Sequence, residues 1–143
     1  MFTLELVTLD GMKLSEEVFQ VNLPTPQGII GIYPDHMPLV SLAVPGVISV
    51  RRNPNDRDEA MEHYATNGGI IEISHKRVRV LVDEADESDE VSEKEVEEAL
   101  AKAKSLEKDA KDQVSLDHAR QIIQTQQARL KVAELKKRRR PRR

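Results

Sequence analysis

The chain has 143 residues, enough for one ordinary domain or two small units, and its net charge is −3. It contains no cysteine, which excludes disulfides and thiolate chemistry and favours a reducing compartment. The acids Glu5 and Asp10 are not typical of a secretory signal peptide, and the longest uncharged run, residues 18–34, contains three prolines and would not cross a bilayer as a helix.

Residues 1–86 are predicted to form a β-rich unit. Turn signals rich in Gly, Asn, Asp and Ser recur between its apolar segments. Val78, Val80 and Val82 share one face by the two-residue period of a strand. Many short strands with frequent turns favour a β-sandwich or a barrel. The segments rich in β-branched residues, and therefore predicted as strands, are 2–8, 18–23, 46–51, 69–74 and 77–82.

The densest cluster of turn residues lies at 25–46, which holds three of the six glycines and four of the seven prolines. Gly supplies positive φ and Pro fixes φ, so each of them marks a turn. The residues from Gly28 to Gly31 lack the lysine and the Ser or Thr of a phosphate-binding P-loop. We therefore expect this block to present loops for docking rather than for catalysis.

Residues 87–143 are predicted to form an antiparallel pair of helices, because neither Gly nor Pro occurs between residues 70 and 140. Ser92 and Glu95 have the spacing of a capping box. Ser115 is predicted to cap the second helix after a polar break at 109–113. The apolar stripe of the first helix comprises Val96, Ala99, Leu100, Ala103, Leu106 and Ala110. The stripe of the second comprises Leu116, Ala119, Ile123, Leu130 and Ala133, with Ile122, Val132 and Leu135 beside it.

This hairpin has little apolar surface with which to hold itself together. Alanine supplies five of the eleven residues of the two stripes, and all four aromatic residues lie at or before Tyr64. At roughly 25 cal/mol per Å² of buried apolar surface, alanine contributes far less than leucine. We therefore expect the hairpin to rest on another surface, and an element held so weakly can have two populated positions.

The net charge hides a strong asymmetry along the chain. Residues 83–98 carry ten acids and one lysine, whereas residues 134–143 carry seven Lys or Arg and one acid. The acidic run is interpreted as a solvated linker that leads into a helix N-terminus, with cation binding as the alternative. The basic tail is compatible with a solvated terminus, with anionic lipid or with nucleic acid. Nucleic acid is disfavoured because no aromatic stacking platform accompanies the tail.

No pattern of residues predicts bond chemistry. His63, His75 and His118 show no metal-ligand spacing and are interpreted as surface residues. His36 either bonds its own loop or contacts a partner. We predict no catalytic residue, no metal site and no cofactor.

Several motifs together resemble the ε subunit of F-type ATP synthases. The first and most specific is T-P-x-G-x-x-G-I-Y-P-x-H-x-P-L at residues 25–39. The resemblance extends from Phe2 to about Lys137. The other motifs are P-G-x-I at 45–48, N-G-G-I-I-E at 67–72, V-x-V-L-V-D-E-A at 78–85 and R-L-K-V-A-E-L-K-K at 129–137.

The resemblance implies a ten-stranded β-sandwich followed by a helical hairpin. It implies a non-catalytic subunit of the rotor, whose sandwich binds the γ subunit and rests on the polar loops of the c-ring. Ion-driven rotation of the ring would thereby reach the catalytic head. In many bacterial members the hairpin extends along γ and blocks ATP hydrolysis. The implied location is the cytoplasmic face of a bacterial plasma membrane, peripheral to it through the complex, with the plastid thylakoid less favoured.

Individual positions follow from the same resemblance. Thr8 matches a γ-facing position, and Ile29 stands where one relative carries an acid, so an apolar ring contact is expected there. The family's ring-facing loops fall on Gly28, Ile29, Ile30, Gly31, Asp35, His36 and Met37. The cations expected to meet the catalytic β subunit, and α beside it, when the hairpin extends are Arg129, Lys131, Lys136, Lys137 and Arg138.

Some family members bind ATP through an I/L-D-x-x-R-A motif that opens the first helix. Residues 91–96 of this chain read V-S-E-K-E-V, which lacks the aspartate, the arginine and the alanine of that motif. A similar string, L-D-H-A-R at 116–120, lies on the second helix and is followed by glutamine. We therefore assign no nucleotide site.

The alternative function is a stand-alone binding module, with a small β-domain, a helical arm and a basic tail for nucleic acid or anionic lipid. Such binding should disappear as salt rises. A complex with γ should persist at moderate salt, because a packed interface is mostly apolar.

Overall fold

A computed structural model describes residues 1–87 and 91–139 of the chain, with side chains described as far as Lys136. This part of the chain forms ten strands and then two helices. The strands are β1 Phe2–Thr8, β2 Gly11–Val18, β3 Gln20–Thr25, β4 Gly28–Ile32, β5 Leu39–Ala43, β6 Gly46–Arg51, β7 Glu62–Thr66, β8 Gly69–Ser74, β9 Arg77–Val82 and β10 Ala85–Glu87. The helices are α1 Glu93–Asp109 and α2 Gln113–Arg139, and a 3₁₀ turn at Asp58–Ala60 precedes β7.

The strands form two five-stranded sheets that face each other. Sheet A has the order β2-β1-β9-β8-β5, and sheet B has the order β10-β7-β6-β3-β4. Within sheet A, β1 pairs with β2 in antiparallel and with β9 in parallel. The sandwich expected from the sequence is confirmed. Four of the five predicted strands have the predicted bounds, whereas segment 18–23 is divided between the end of β2 and the start of β3.

The core lies between the inner faces of the two sheets. Val78, Val80 and Val82 are all buried, as the period of the sequence predicted. The largest fully buried side chains come from both sheets, so neither sheet can bury its apolar face without the other. They are Leu4, Leu6, Leu23, Ile32, Ile48 and Ile71.

Strand β8 begins at a glycine because the neighbouring backbone lies too close for a side chain. A Cβ atom on Gly69 would stand 1.9 Å from the carbonyl oxygen of Leu81 in β9. The preceding Gly68 has a φ of +102°, which side-chain-bearing residues rarely adopt. The turn predicted at 67–69 is therefore a point of close contact between adjacent strands.

The sequence predicted the N-terminal cap of α1 correctly but not that of α2. The hydroxyl of Ser92 accepts a hydrogen bond from the backbone N–H of Glu95 at 3.4 Å, as predicted for α1. The prediction that Ser115 caps α2 is wrong. Asp112 is the cap, and its carboxylate accepts a hydrogen bond from the backbone N–H of Ser115 at 2.7 Å. Asp is as good a cap as Ser, and α2 begins at Gln113, directly after Asp112 and before the predicted cap.

Helix α2 lies on the outer face of sheet B, where it contacts β6, β7 and β10, and α1 packs on α2. The hairpin therefore rests on another surface, as expected. Its contact with the sandwich is small: Ala128 and Val132 of α2 pack with Ala65 of β7, beside the partly buried Val47. Ala119 and Ala133 of the predicted stripe are buried, but Ala128 was not part of that prediction.

Candidate docking surfaces

The outer face of sheet A is left uncovered by the hairpin and carries a row of apolar side chains across all five strands. The register places Leu42 opposite Ile70, and Ile70 opposite Leu81. Leu81 is opposite Val7, and Val7 is opposite Met12. We call these five residues the apolar row. The steps from Leu42 to Val7 are regular cross-strand pairs, so those four side chains are neighbours on one face, and Met12 pairs with Val7 just after a β-bulge between β1 and β2.

Much of the apolar row is open to solvent. Leu42 is 61 % exposed, Met12 is 56 % exposed and Ile70 is 44 % exposed. Val7 and Leu81, in the middle of the row, are partly buried. Single exposed apolar residues are ordinary on a protein surface, but a contiguous patch of this kind is typical of an interaction site.

A row of charged residues lies next to the apolar row on the same face. The carboxylate of Glu5 in β1 lies 3.3 Å from Nε of Arg77 and 3.1 Å from Nε of Arg79, both in β9. Glu72 in β8 lies opposite Arg79. The apolar row therefore has a polar border on one side, the arrangement found at the rim of protein interfaces.

Thr8 is the last residue of β1 and directly follows Val7 of the apolar row. Its hydroxyl donates a hydrogen bond to the carbonyl oxygen of Gly11 at 3.2 Å and accepts one from the N–H of Asp10 at 3.3 Å. These bonds hold the turn between β1 and β2. This turn thereby positions Val7 and Met12, which lie on either side of it.

The residues expected in ring-facing loops are only partly in a loop. Gly28, Ile29, Ile30 and Gly31 lie in β4, an edge strand of sheet B, so their prediction as loop residues is wrong. Pairing with β3 accounts for the difference, since Ile29 is opposite Pro24 and Gly31 is opposite Asn22. Ile29 is 74 % exposed, whereas Ile30 packs against the core.

Asp35, His36 and Met37 do lie in a loop, between β4 and β5. Asp35 has a φ of +64°, and Nδ1 of His36 lies 2.7 Å from the carbonyl oxygen of Met37. His36 thus bonds its own loop, which was one of the two alternatives. Met37 is 74 % exposed. Gly28 and this loop stand at opposite ends of β4, about 13 Å apart along the strand.

The cations predicted to contact the catalytic subunit occupy different environments on α2. Nε of Arg129 lies 3.3 Å from Oδ2 of Asp86 in β10. Lys131 is exposed, and Lys136 is partly buried and makes an interaction of its own. The side chains of Lys137 and Arg138 lie outside the described part of the chain.

A cavity of about 470 Å³ remains between α2 and the part of sheet B that α2 does not cover. Its lining includes Pro24, Ile29 and Val47 from the sandwich and Lys131 and Leu135 from the helix. The exposed side chain of Ile29 therefore stands beside the C-terminal half of α2. A partner that reaches Ile29 also comes close to the hairpin.

The described residues contain no cluster of His, Cys, Asp or Glu that could hold a metal ion. Nδ1 of His63, for example, lies 2.8 Å from the hydroxyl oxygen of Ser49.

The pKa of the Tyr64 hydroxyl is strongly raised by burial and by the carboxylates of Glu87 and Glu62, so Tyr64 remains a neutral core residue. None of the helices in the described part of the chain combines the length and the apolar character that crossing a bilayer requires.

Sequence reasoning missed the apolar row, although it predicted three of the strands that carry it. Strand β8 shows the signal that was available, because both Ile70 and Ile71 are apolar although they point to opposite faces. Ile71 is fully buried, so Ile70 is in excess of what the core needs. Only the register showed that Ile70 has apolar neighbours on both sides.

Comparison with known proteins gives one consistent result. A family model described as "ATP synthase, Delta/Epsilon chain, beta-sandwich domain" matches residues 1–88. An ATP synthase epsilon chain of Herpetosiphon aurantiacus is 34% identical over 95% of this chain and 96% of its own length. The ATP synthase epsilon chain of Chloroflexus aggregans is 32% identical over 94% of this chain and 93% of its own. That of Neisseria meningitidis serogroup B is 32% identical over 91% of both.

Two solved structures share the fold. One is a chain in the Euglena gracilis mitochondrial ATP synthase, OSCP/F1/c-ring, with a TM-score of 0.76 at 20% identity over 92% of this chain and 79% of that one. The other is a chain in the central stalk/c-ring of the Tetrahymena thermophila mitochondrial ATP synthase, with a TM-score of 0.60 at 15% identity over 92% of this chain and 95% of that one.

Proposed function

The chain belongs to the family of ATP synthase epsilon chains, and on that premise we propose that it is a non-catalytic subunit of the synthase rotor. In this role it couples ion movement through the c-ring to ATP synthesis in the catalytic head. Its contribution is mechanical, because it links the γ subunit to the ring. The chain itself would break no bond and would need no cofactor.

The apolar row is the single observation that carries this proposal. Its exposed residues Leu42, Ile70 and Met12 span the width of sheet A on the face opposite to the hairpin. A rotor subunit has to hold its partner against torque, which requires a packed apolar contact rather than charge alone. We propose that γ packs on the apolar row, with the charged residues around Glu5 at the edge of the contact.

Thr8 supports the same location for γ. The resemblance assigns Thr8 to a γ-facing position, and Thr8 directly follows Val7 of the apolar row along β1. Since its hydroxyl is engaged in the turn between β1 and β2, we propose that Thr8 shapes the surface rather than bonding γ itself.

We propose that the c-ring contacts a different side of the sandwich, along β4 and the loop that follows. Ile29 and Met37 are the exposed apolar residues there, with Gly28, Ile30, Gly31, Asp35 and His36 as the backbone and loop that present them. An apolar contact at Ile29 replaces the ionic one expected where a relative has an acid. Contacts spread over two ends of one edge strand would resist tilting of the sandwich on the ring.

We propose that the hairpin is a brake on ATP hydrolysis. The seat of α2 on sheet B consists mainly of Ala65, Ala128 and Val132, so its release exposes little apolar surface. In the extended state Arg129, Lys131, Lys136, Lys137 and Arg138 would meet acids of the catalytic β subunit, with α beside it. Attraction between opposite charges would hold that state, and salt would weaken it.

We propose that the protein is peripheral to the membrane through the complex, at the cytoplasmic face of a bacterial plasma membrane. The charge of the basic tail would add contact with the catalytic subunits rather than with nucleic acid or lipid. The driving ion is selected in the ring and therefore by another chain.

The test is ATP hydrolysis by the matching catalytic head with γ, to which the whole chain or residues 1–87 are added. Cutting after Glu87 keeps β10 in sheet B. Gel filtration measures how much of each form is bound, and circular dichroism checks that the shorter form is folded. We expect both forms to bind at moderate salt and only the whole chain to slow hydrolysis. Equal rates with both forms bound would disprove the brake, and absence of binding by the whole chain would disprove the rotor assignment.

A further inference from the structure

Arg129 is held against the sandwich instead of projecting into solvent. Its side chain is 22 % exposed, and that of Asp86, its partner in β10, is 25 % exposed. Nε of Arg129 is buried and has no hydrogen-bond partner in the described part of the chain. The 3.3 Å separation from Oδ2 of Asp86 is thus an ionic contact whose alignment is poor for a hydrogen bond. A cation desolvated in this way depends on the charge of its partner.

The ion pair lies beside the small apolar contact between α2 and sheet B. Asp86 is opposite Ala65 across the β10–β7 pair. Ala65 in turn packs with Ala128 and Val132, which flank Arg129 along α2. The apolar part of this contact consists of two alanines, Val132 and the partly buried Val47, so it is small and the charge pair adds to what holds α2 there.

Strand β10 itself has a second attachment, on the opposite face from Asp86. Glu87 is opposite Tyr64 in β7, and its carboxylate accepts a hydrogen bond from the buried hydroxyl of Tyr64. Adjacent residues of a strand point to opposite faces. The contact of Glu87 with Tyr64 therefore holds β10 on the inner face of sheet B, while Asp86 faces α2. Release of Arg129 therefore does not require release of β10.

We propose that the Asp86–Arg129 ion pair is the latch that holds the hairpin on the sandwich. Arg129 then takes part in both positions of the hairpin: it pairs with Asp86 in the compact position and with an acid of the catalytic subunit in the extended one. The second part of this inference rests on the proposed function, whereas the first concerns the chain alone. Loss of Asp86 should favour extension, and loss of Arg129 should weaken both positions.

The latch is tested in the isolated full-length chain by hydrogen exchange of the backbone amides of α2 at residues 126–133. Asp86→Asn removes the charge with little change of shape, and Asp83→Asn is the matched control, since it removes an exposed acid nearby. We expect exchange in this segment to be about tenfold faster in Asp86→Asn and unchanged in Asp83→Asn. Salt at about 1 M should narrow the difference.

A charge exchange within the pair separates a specific contact from a general effect of charge. The double variant Asp86→Arg/Arg129→Asp should bring exchange back towards that of the parent, whereas Asp86→Arg alone should accelerate it further. Exchange in β1 and β9 must stay unchanged in every variant, which shows that the sandwich is intact. Equal exchange of α2 in Asp86→Asn and Asp83→Asn would overturn the latch.

A second measurement distinguishes failure of the latch from failure of the brake. In the assembled head with γ, Asp86→Asn should inhibit ATP hydrolysis at a severalfold lower concentration than the parent. Faster exchange without stronger inhibition would leave the latch in place and contradict the brake. Unchanged exchange would contradict the latch whatever the hydrolysis assay shows.

Discussion

Replacing Leu42 tests whether γ binds on the apolar row. Complete burial of a leucine side chain contributes about 1.5–3 kcal/mol. Leu42 is 61 % exposed in the free chain, so contact with γ would bury the remaining three fifths and contribute about 1–2 kcal/mol. Leu42→Ala removes most of this contribution, and the Kd of the γ complex should rise about five- to thirtyfold. Leu42→Asp places an unpaired charge in the contact and should raise the Kd at least about a hundredfold.

The measurement is titration calorimetry of the full-length variants with the matching γ subunit. Leu39→Ala is the control, because Leu39 lies on the same strand but points to the other side of the sheet. Its γ affinity should stay within about twofold of the parent. Urea unfolding should show that Leu42→Ala changes the free energy of unfolding by less than about 0.5 kcal/mol, as expected at an exposed site. Parental affinity in Leu42→Asp would refute the assignment of this face to γ.

Substitutions at three further positions test the fold. Gly69→Ala should unfold the sandwich or lower its free energy of unfolding by at least about 3 kcal/mol, since the added Cβ would meet the carbonyl of Leu81, and urea unfolding measures the loss. Hydrogen bonds from the N–H and hydroxyl of Ser115 lower the pKa of Asp112, so this cap is complete above about pH 4 and is lost as pH falls through the lowered pKa. Asp112→Ala should therefore reduce helical ellipticity at pH 7, whereas Asp112→Asn should keep it and remove its decline in acid. Because folding raises the pKa of Tyr64, its contribution to the free energy of unfolding is complete below about pH 10 and falls above that pH. The free energies of unfolding at pH 9 and pH 11 should therefore differ less in Tyr64→Phe than in the parent. An equal difference in the two proteins would show that Tyr64 is not the cause.

The strands that the sequence predicted are those in which β-branched residues and alternation coincide. β9 is the clearest case, with Val78, Val80 and Val82 all turned to the core. β10 is the opposite case, because Ala-Asp-Glu within an acidic run carries no strand signal. It forms a strand because it pairs with the edge of β7, and because its two acids have partners: Glu87 contacts Tyr64, and Asp86 contacts Arg129. Local propensity cannot report partners that lie so far away in sequence.

The candidate surfaces were predictable to the extent that a motif defined them. Ile29 and Met37 were singled out from the turn-rich block, and both are well exposed. The apolar row was not predicted, since it requires the register of four strand pairs at once. Arg129 was expected to serve a partner subunit, and its contact with Asp86 appears only after α2 has been placed on sheet B. The apolar row and the Arg129–Asp86 contact both depend on tertiary packing, which cannot be inferred from any short segment of the sequence.

The parallel pairing of β1 with β9 has a consequence for the synthesis of the chain on the ribosome. At about 5–20 residues per second, β1 is made roughly 4–15 s before β9, which is its neighbour in the centre of sheet A. Until then Leu4 and Leu6 lack the strand that completes their side of the core, so the nascent chain exposes apolar surface that the finished chain buries. The apolar row is likewise incomplete before Leu81 has been added. On the proposed assignment of the apolar row to γ, an unfinished chain lacks part of the surface that holds the finished chain on the rotor.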